Sequence, residues 1–209
     1  MIDFLLILFI MTLLYAAIAN RMQTYLWILI LQGAILSGLS YFLLTKIEVY
    51  NLVLIIAENL IFKTIAVPWF LNTIIKRNQI TRETEPYLPN FVSLMIVTAI
   101  ILLSIVITTS LKDIFIAKNL FIVAISTLFS ALYLIMSRRK IITHVICYLI
   151  LENGVFLLSL STGNEMPMLV NLGIMLDIFA SVLILGVFFN KIGDVLKDPD
   201  VGLLRNLKD

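Results

Sequence analysis

The chain has 209 residues, a length that fits one domain at ~100 to 200 residues each. Of these, 61% are hydrophobic and 13% charged, against ~45 to 50% and ~25% in soluble globular proteins. That excludes a water-soluble fold, which would need a polar surface, and the net charge of +2 gives no reason to expect nucleic acid as a partner.

Apolar stretches of about 20 residues, each long enough to cross a ~30 Å hydrocarbon core as a helix, recur along the chain. The reading is an all-α integral membrane protein of about seven transmembrane helices. In chain order they run from Ile2 to Ala19, Thr24 to Leu44, Tyr50 to Ile75, Asn90 to Thr109, Ile114 to Met136, Ile141 to Leu160 and Met168 to Asn190. The first is read as a span rather than a cleaved signal peptide, because Asp3 is its only charge and no basic residues precede the apolar run. The charged loop from Lys76 to Pro89, with Pro86 and Pro89, divides the chain into a three-helix part (1–80) and a four-helix part (81–191). A tail with mixed charge and two breakers, Pro199 and Gly202, follows (192–209).

With seven spans, alternate loops share a side. Arg21, Lys76, Arg77, Arg82, Arg138, Arg139, Lys140, Lys191, Lys197, Arg205 and Lys208 fall on one side; Lys46, Lys112 and Lys118 fall on the other. The excess of basic residues marks the cytoplasmic face, which puts the N-terminus outside and the C-terminus in the cytoplasm.

Ionisable groups inside a span cost at least ~2.5 to 3.5 kcal/mol each on insertion scales, so each is a candidate for function. Glu58, Lys63, Glu152 and Asp177 are the clear cases, with His144 nearer an edge. At ~1.5 Å per residue, Glu152 lies ~18 Å from Lys140 and Asp177 ~21 Å from Lys191, which places both carboxyls near the bilayer midplane. Two carboxyls at matching depth on adjacent helices suit a proton relay; the alternative is a buried carboxyl bonded to a backbone carbonyl or capping a kink. Lys140, His144, Tyr148 and Glu152 share one helix face at i, i+4 spacing. That stripe reads as a route from the cytoplasm, with an imidazole suited to proton exchange and Glu152 at its end. The opposite face, with Ile142, Ile146 and Ile150, is the one expected to meet lipid. The bland reading of His144 and Tyr148 is interfacial anchoring.

On the last span Gly173 and Ser181 share the face of Asp177, and small residues there favour close helix approach. In the third span, Glu58 and Lys63 lie ~140° apart on an α-helix, so Lys63 is expected to pair with an acid of another helix, Glu152 or Asp177 within this chain or, equally, an acid of a neighbouring subunit. Such a pair either joins an ion path or only fixes helix register. Pro68 should break the helical ladder just after. The run Ala57 to Phe62 echoes Leu151 to Phe156 at three of six positions. One histidine and one cysteine, Cys147, exclude a disulfide, a cluster or a multi-imidazole metal site within this chain.

The run Arg138-Arg139-Lys140, then Leu151-Glu152-Asn153-Gly154, and then Leu172 to Asp177 resembles the hydrogenase-4 component E family, with Lys63 and Pro68-Trp69-Phe70 extending the likeness over the whole chain. That family is akin to the three-span K subunit of respiratory complex I, which residues 114–190 resemble, and to the C subunit of Mrp-type antiporters. In the K subunit two membrane glutamates belong to the chain of proton-transferring groups. Glu152 matches the first, and Asp177 falls where the second is expected, one methylene shorter.

The resemblance implies a non-catalytic membrane-arm subunit of a group 4 hydrogenase or related ion-pumping complex in a prokaryotic cytoplasmic membrane. Proton-transfer roles would fall to Glu152, Asp177, Lys63, His144, Tyr148 and Glu58. No cofactor would sit in this chain. Nickel–iron and iron–sulfur centres would be held by a soluble hydrogenase-like arm, and antiporter-like subunits and lipid would surround the protein. A purely structural subunit, or an independent secondary transporter, are the alternatives.

Overall fold

A computed structural model describes residues 1–43, 53, 55–77, 87–110 and 117–161. Every element among them is helical. Helix α1 spans Ile2–Ile18, α2 Met22–Leu43, α3 Val67–Arg77, α4 Asn90–Ser110, α5 Lys118–Ser137 and α6 Ile141–Ser161; a π-helical segment, Glu58–Ala66, runs directly into α3. Four of these, α2, α4, α5 and α6, are long and apolar enough to cross a membrane, and α1 is a shorter apolar helix. The seventh expected span, Met168 to Asn190, and the tail after it lie outside the described residues.

Hydrogen bonds between helix ends fix how the segments alternate. Arg138, after α5, donates to the carbonyls of Ala16 and Ala17 at the end of α1, at 3.2 and 2.7 Å. Tyr87, before α4, donates its N–H to the Ser137 carbonyl, and Gln23 near the start of α2 donates to Asn72 in α3 at 3.0 Å. These contacts gather Arg21, Lys76, Arg77, Arg138, Arg139 and Lys140 at one end of the bundle. At the opposite end Asn119 donates to Asp3 at 2.9 Å, and Ala117 N–H reaches the Ser161 carbonyl. Among the described residues the basic end therefore carries no carboxylate. Consecutive segments run in opposite directions, as alternate crossing requires.

Small side chains set the closest approaches. Helices α5 and α6 are extensively packed, and a Cβ on Gly154 would stand 3.1 Å from the Leu128 nitrogen and from Thr127 Cβ. With little hydrophobic drive between helices in lipid, such close packing is what holds them together. Helix α4 is peripheral. It turns Ser93, Val97, Ile101, Ser104 and Thr108 inward and leaves Phe91, Met95, Leu102, Leu103 and Val106 exposed. Helices α1 and α2 pack against α4, α5 and α6, so residues from both sides of the Lys76 to Pro89 loop share one core.

Arg138 departs from its expected place as a loop charge. It is 1% exposed, lies over the Tyr25 ring at 5.7 Å, and donates to two last-turn carbonyls of α1, one of which, Ala16, also accepts the Ala19 N–H. A cation at a helix C-terminus is favoured by the partial negative charge there.

Candidate functional site

The third apolar segment changes the register of its hydrogen-bond ladder. Over Glu58–Ala66 the backbone bonds from i to i−5, and Val67 donates to Phe62 in the same pattern. Pro68 comes next and has no N–H with which to continue either register, so the segment resumes as α-helix. Side chains follow the wider turn: Thr64 Oγ1 donates to the Asn59 carbonyl five residues back at 3.0 Å, while Asn59 Nδ2 donates to Ile55. The ~140° offset expected between Glu58 and Lys63 assumed an α-helix and does not hold in this register. Isolated π turns recur at functional sites because they re-aim a side chain.

Lys63 is aimed at α6. Its Nζ lies 2.6 Å from Glu152 Oε1, with the two side chains 12% and 11% exposed, and 5.1 Å from the centre of the Phe156 ring. Glu152 and Phe156 are four residues apart and so share a helix face, giving the ammonium a carboxylate and an aromatic surface from the same helix. Glu152 is the twelfth residue of a 21-residue helix, near its middle. The pair joins an acid and a base of different helices, as the cost of an unpaired ammonium in hydrocarbon requires.

Beside it runs a buried polar chain. Asn153 Nδ2 donates to Gln32 Oε1 at 3.0 Å. Gln32 Nε2 donates to Thr12 Oγ1 at 2.9 Å, and Thr12 donates to the Phe9 carbonyl at 2.6 Å. Gln32 is fully buried. The chain ties α6 to α2 and α1 immediately next to Glu152, and an amide is suited to its middle because it both donates and accepts. Gly33, the next residue, lets α2 close on the π segment: a Cβ there would lie 2.6 Å from Thr64 Oγ1, 3.1 Å from the Thr64 nitrogen and 3.2 Å from the Lys63 carbonyl carbon. Position 33 therefore sets how near Lys63 stands to the rest of the core.

The expected cytoplasmic stripe is only partly assembled. His144 is half-buried and its Nδ1 lies 2.7 Å from the Lys140 carbonyl, a contact that fits the Nδ1–H tautomer. Tyr148 is 42% exposed, and among the described residues no hydrogen bond joins His144, Tyr148 and Glu152. The expectation that the Ile142, Ile146 and Ile150 face meets lipid is overturned. These three are 1%, 0% and 0% exposed, because α6 packs that side on α5 and α2 while the Tyr148 edge turns outward. Asp177 and the side chain of Glu58 lie outside the described residues.

Sequence reasoning missed Gln32, Asn153 as a hydrogen-bonding residue, and the burial of Arg138. A polar amide in the middle of an apolar span, next to glycine, was the available signal for Gln32; a search confined to ionisable groups passes over it. Among the described residues no cluster of three or more His, Cys, Asp or Glu could hold a metal ion.

No family model matches the chain, and no solved structure matches it. Over 153 residues it is 24% identical to an uncharacterized protein of Mycobacterium tuberculosis (strain ATCC 25618 / H37Rv), Rv0085, with 72% of this chain and 70% of that protein covered.

Proposed function

We propose that the chain is a multi-pass membrane-arm subunit of a redox-driven ion-pumping complex, of the group 4 hydrogenase or complex I type, and that the Lys63–Glu152 pair is a link in its proton or sodium path. The observation that supports this most is the pair itself, at 2.6 Å in the middle of α6 and launched from a π-helical segment that Pro68 ends. A proton arriving at Glu152 cancels the carboxylate and strips Lys63 of its counter-ion, so occupancy of the carboxyl and position of the ammonium are coupled. Asp177, Glu58, His144 and Tyr148 are the further candidate carriers. Nickel–iron and iron–sulfur chemistry belongs to partner subunits, with antiporter-like subunits alongside in a prokaryotic cytoplasmic membrane.

Purification in mild detergent tests this reading. The protein should come out with other membrane subunits and with soluble iron–sulfur proteins, whereas isolation alone or as a homo-oligomer would identify a separate transporter and overturn it.

A second reading has its own support: the chain from Asn153 through Gln32 to Thr12 would make the same residues a device that fixes helix register while ions pass elsewhere.

The proposed topology has seven spans with the N-terminus outside and the C-terminus in the cytoplasm. A Glu83→Cys variant should resist impermeant thiol reagents added to intact cells, Cys147 being buried. Ready labelling would reverse the orientation.

A further inference from the structure

Between α2 and the arm formed by the π segment and α3 lies a groove of about 300 Å3, at the lower limit of ligand-sized clefts of ~300 to 1,000 Å3. Its lining is apolar along most of its length: Trp27 and Trp69 stand beside Leu26 and Pro68, with Ile30, Ile65 and Thr64 about one turn further from the Gln23 and Asn72 end. Both rings are turned outward, 64% and 70% exposed, and they are the only tryptophans in the chain. Towards the basic end the character changes. Gln23 and Asn72 line the groove there and bond to each other across it. Arg21 lies two residues before Gln23 and Lys76 one turn beyond Asn72 on the same face of α3, and both are exposed.

We propose that this groove binds one anionic glycerophospholipid, with an acyl chain lying between Trp27 and Trp69 and the phosphate held by Arg21 and Lys76. The order of chemistry along the groove, basic, then amide, then indole, then aliphatic, matches that of a phospholipid from phosphate through glycerol ester to chain. Depth agrees. At ~1.5 Å per residue, Trp27 lies ~7.5 Å inside the start of α2 and Trp69 ~12 Å inside the end of α3, on the inner side of the headgroup belt in which indole rings concentrate. Charge selects the occupant: Arg21 and Lys76 are both exposed, and two cations beside the groove favour a negatively charged headgroup over a zwitterionic one. The proposal rests on the chain being embedded in a membrane and not on the ion path.

Because both tryptophans line the groove and are also exposed to bulk lipid, the difference in indole quenching between two lipids reports which of them the groove selects. The purified protein is reconstituted in phosphatidylcholine vesicles into which brominated phosphatidylglycerol or brominated phosphatidylcholine is titrated. Brominated phosphatidylglycerol should quench preferentially, with a relative association constant roughly tenfold or more above that of brominated phosphatidylcholine, and each of Arg21→Gln and Lys76→Gln should reduce that preference by about fivefold. Raising the ionic strength should weaken it as well. Equal quenching by the two lipids, or a preference unchanged in the Arg21→Gln/Lys76→Gln variant, would overturn the proposal. So would tryptophans that neither lipid quenches, since the groove would then be filled by protein. Both substituted residues are exposed, and near-wild-type thermal melting of the variants confirms that the loss is one of lipid selection.

Discussion

Glu152→Gln should bring coupled ion translocation close to background while the assembled complex is recovered in normal amount. The amide keeps the shape of the carboxylate, and its carbonyl oxygen still accepts a hydrogen bond from the Lys63 ammonium, but it cannot bind and release a proton. Removing a positioned proton-carrying group costs about 10²-fold or more in a step that depends on it. The measurement is the number of ions moved per electron in inverted vesicles. Glu152→Asp is the companion variant: it retains the proton-carrying group one methylene further from Lys63 Nζ, so partial activity is expected. Wild-type pumping by the glutamine variant would remove Glu152 from the path and leave the pair a packing element.

Lys63→Met should act on stability before it acts on transport. The pair is nearly enclosed, with the two side chains 12% and 11% exposed, and breaking a buried pair by deleting one partner costs about 3 to 5 kcal/mol, because the remaining charge stays buried without compensation. The methionine fills much of the volume of the lysine stem, so the loss is electrostatic rather than a cavity. Lys63→Met should lower the melting temperature and the yield of assembled complex, and Lys63→Met/Glu152→Gln should recover both, since neither charge is then left alone. Translocation should stay absent in the double variant. Restored assembly with restored pumping would show that neither charge carries ions; restored assembly without pumping separates the packing role of the pair from its transport role. A Lys63→Met variant as stable as the parent would show that the carboxyl takes up a proton or finds another partner.

The four long apolar helices, α2, α4, α5 and α6, were legible in the amino-acid sequence because each depends on composition over about 20 residues, and lipid requires every crossing segment to satisfy its backbone internally. The expected starts of the second, fourth and sixth apolar runs fall within two residues of α2, α4 and α6. That Lys63 must seek an acid on another helix was legible for the same reason, since an isolated ammonium in hydrocarbon is too costly to leave alone.

Which acid it meets, and how, belongs to the tertiary structure. The π register of Glu58–Ala66 is a choice between ladders that differ by one residue per turn, and it is decided where Pro68 ends the ladder and Gly33 admits the segment against α2. No pattern of apolar and polar residues distinguishes these two registers. The orientation of α6 was equally beyond the sequence: its faces are both largely apolar, so whether the isoleucine edge or the Tyr148 edge turns inward depends on which side fits against α5, where Gly154 allows contact with Thr127 and Leu128. Arg138 shows the same division. Its charge suits the end of a span, but only the juxtaposition of the α5–α6 connection with the last carbonyls of α1 turns it from a surface cation into a buried cap.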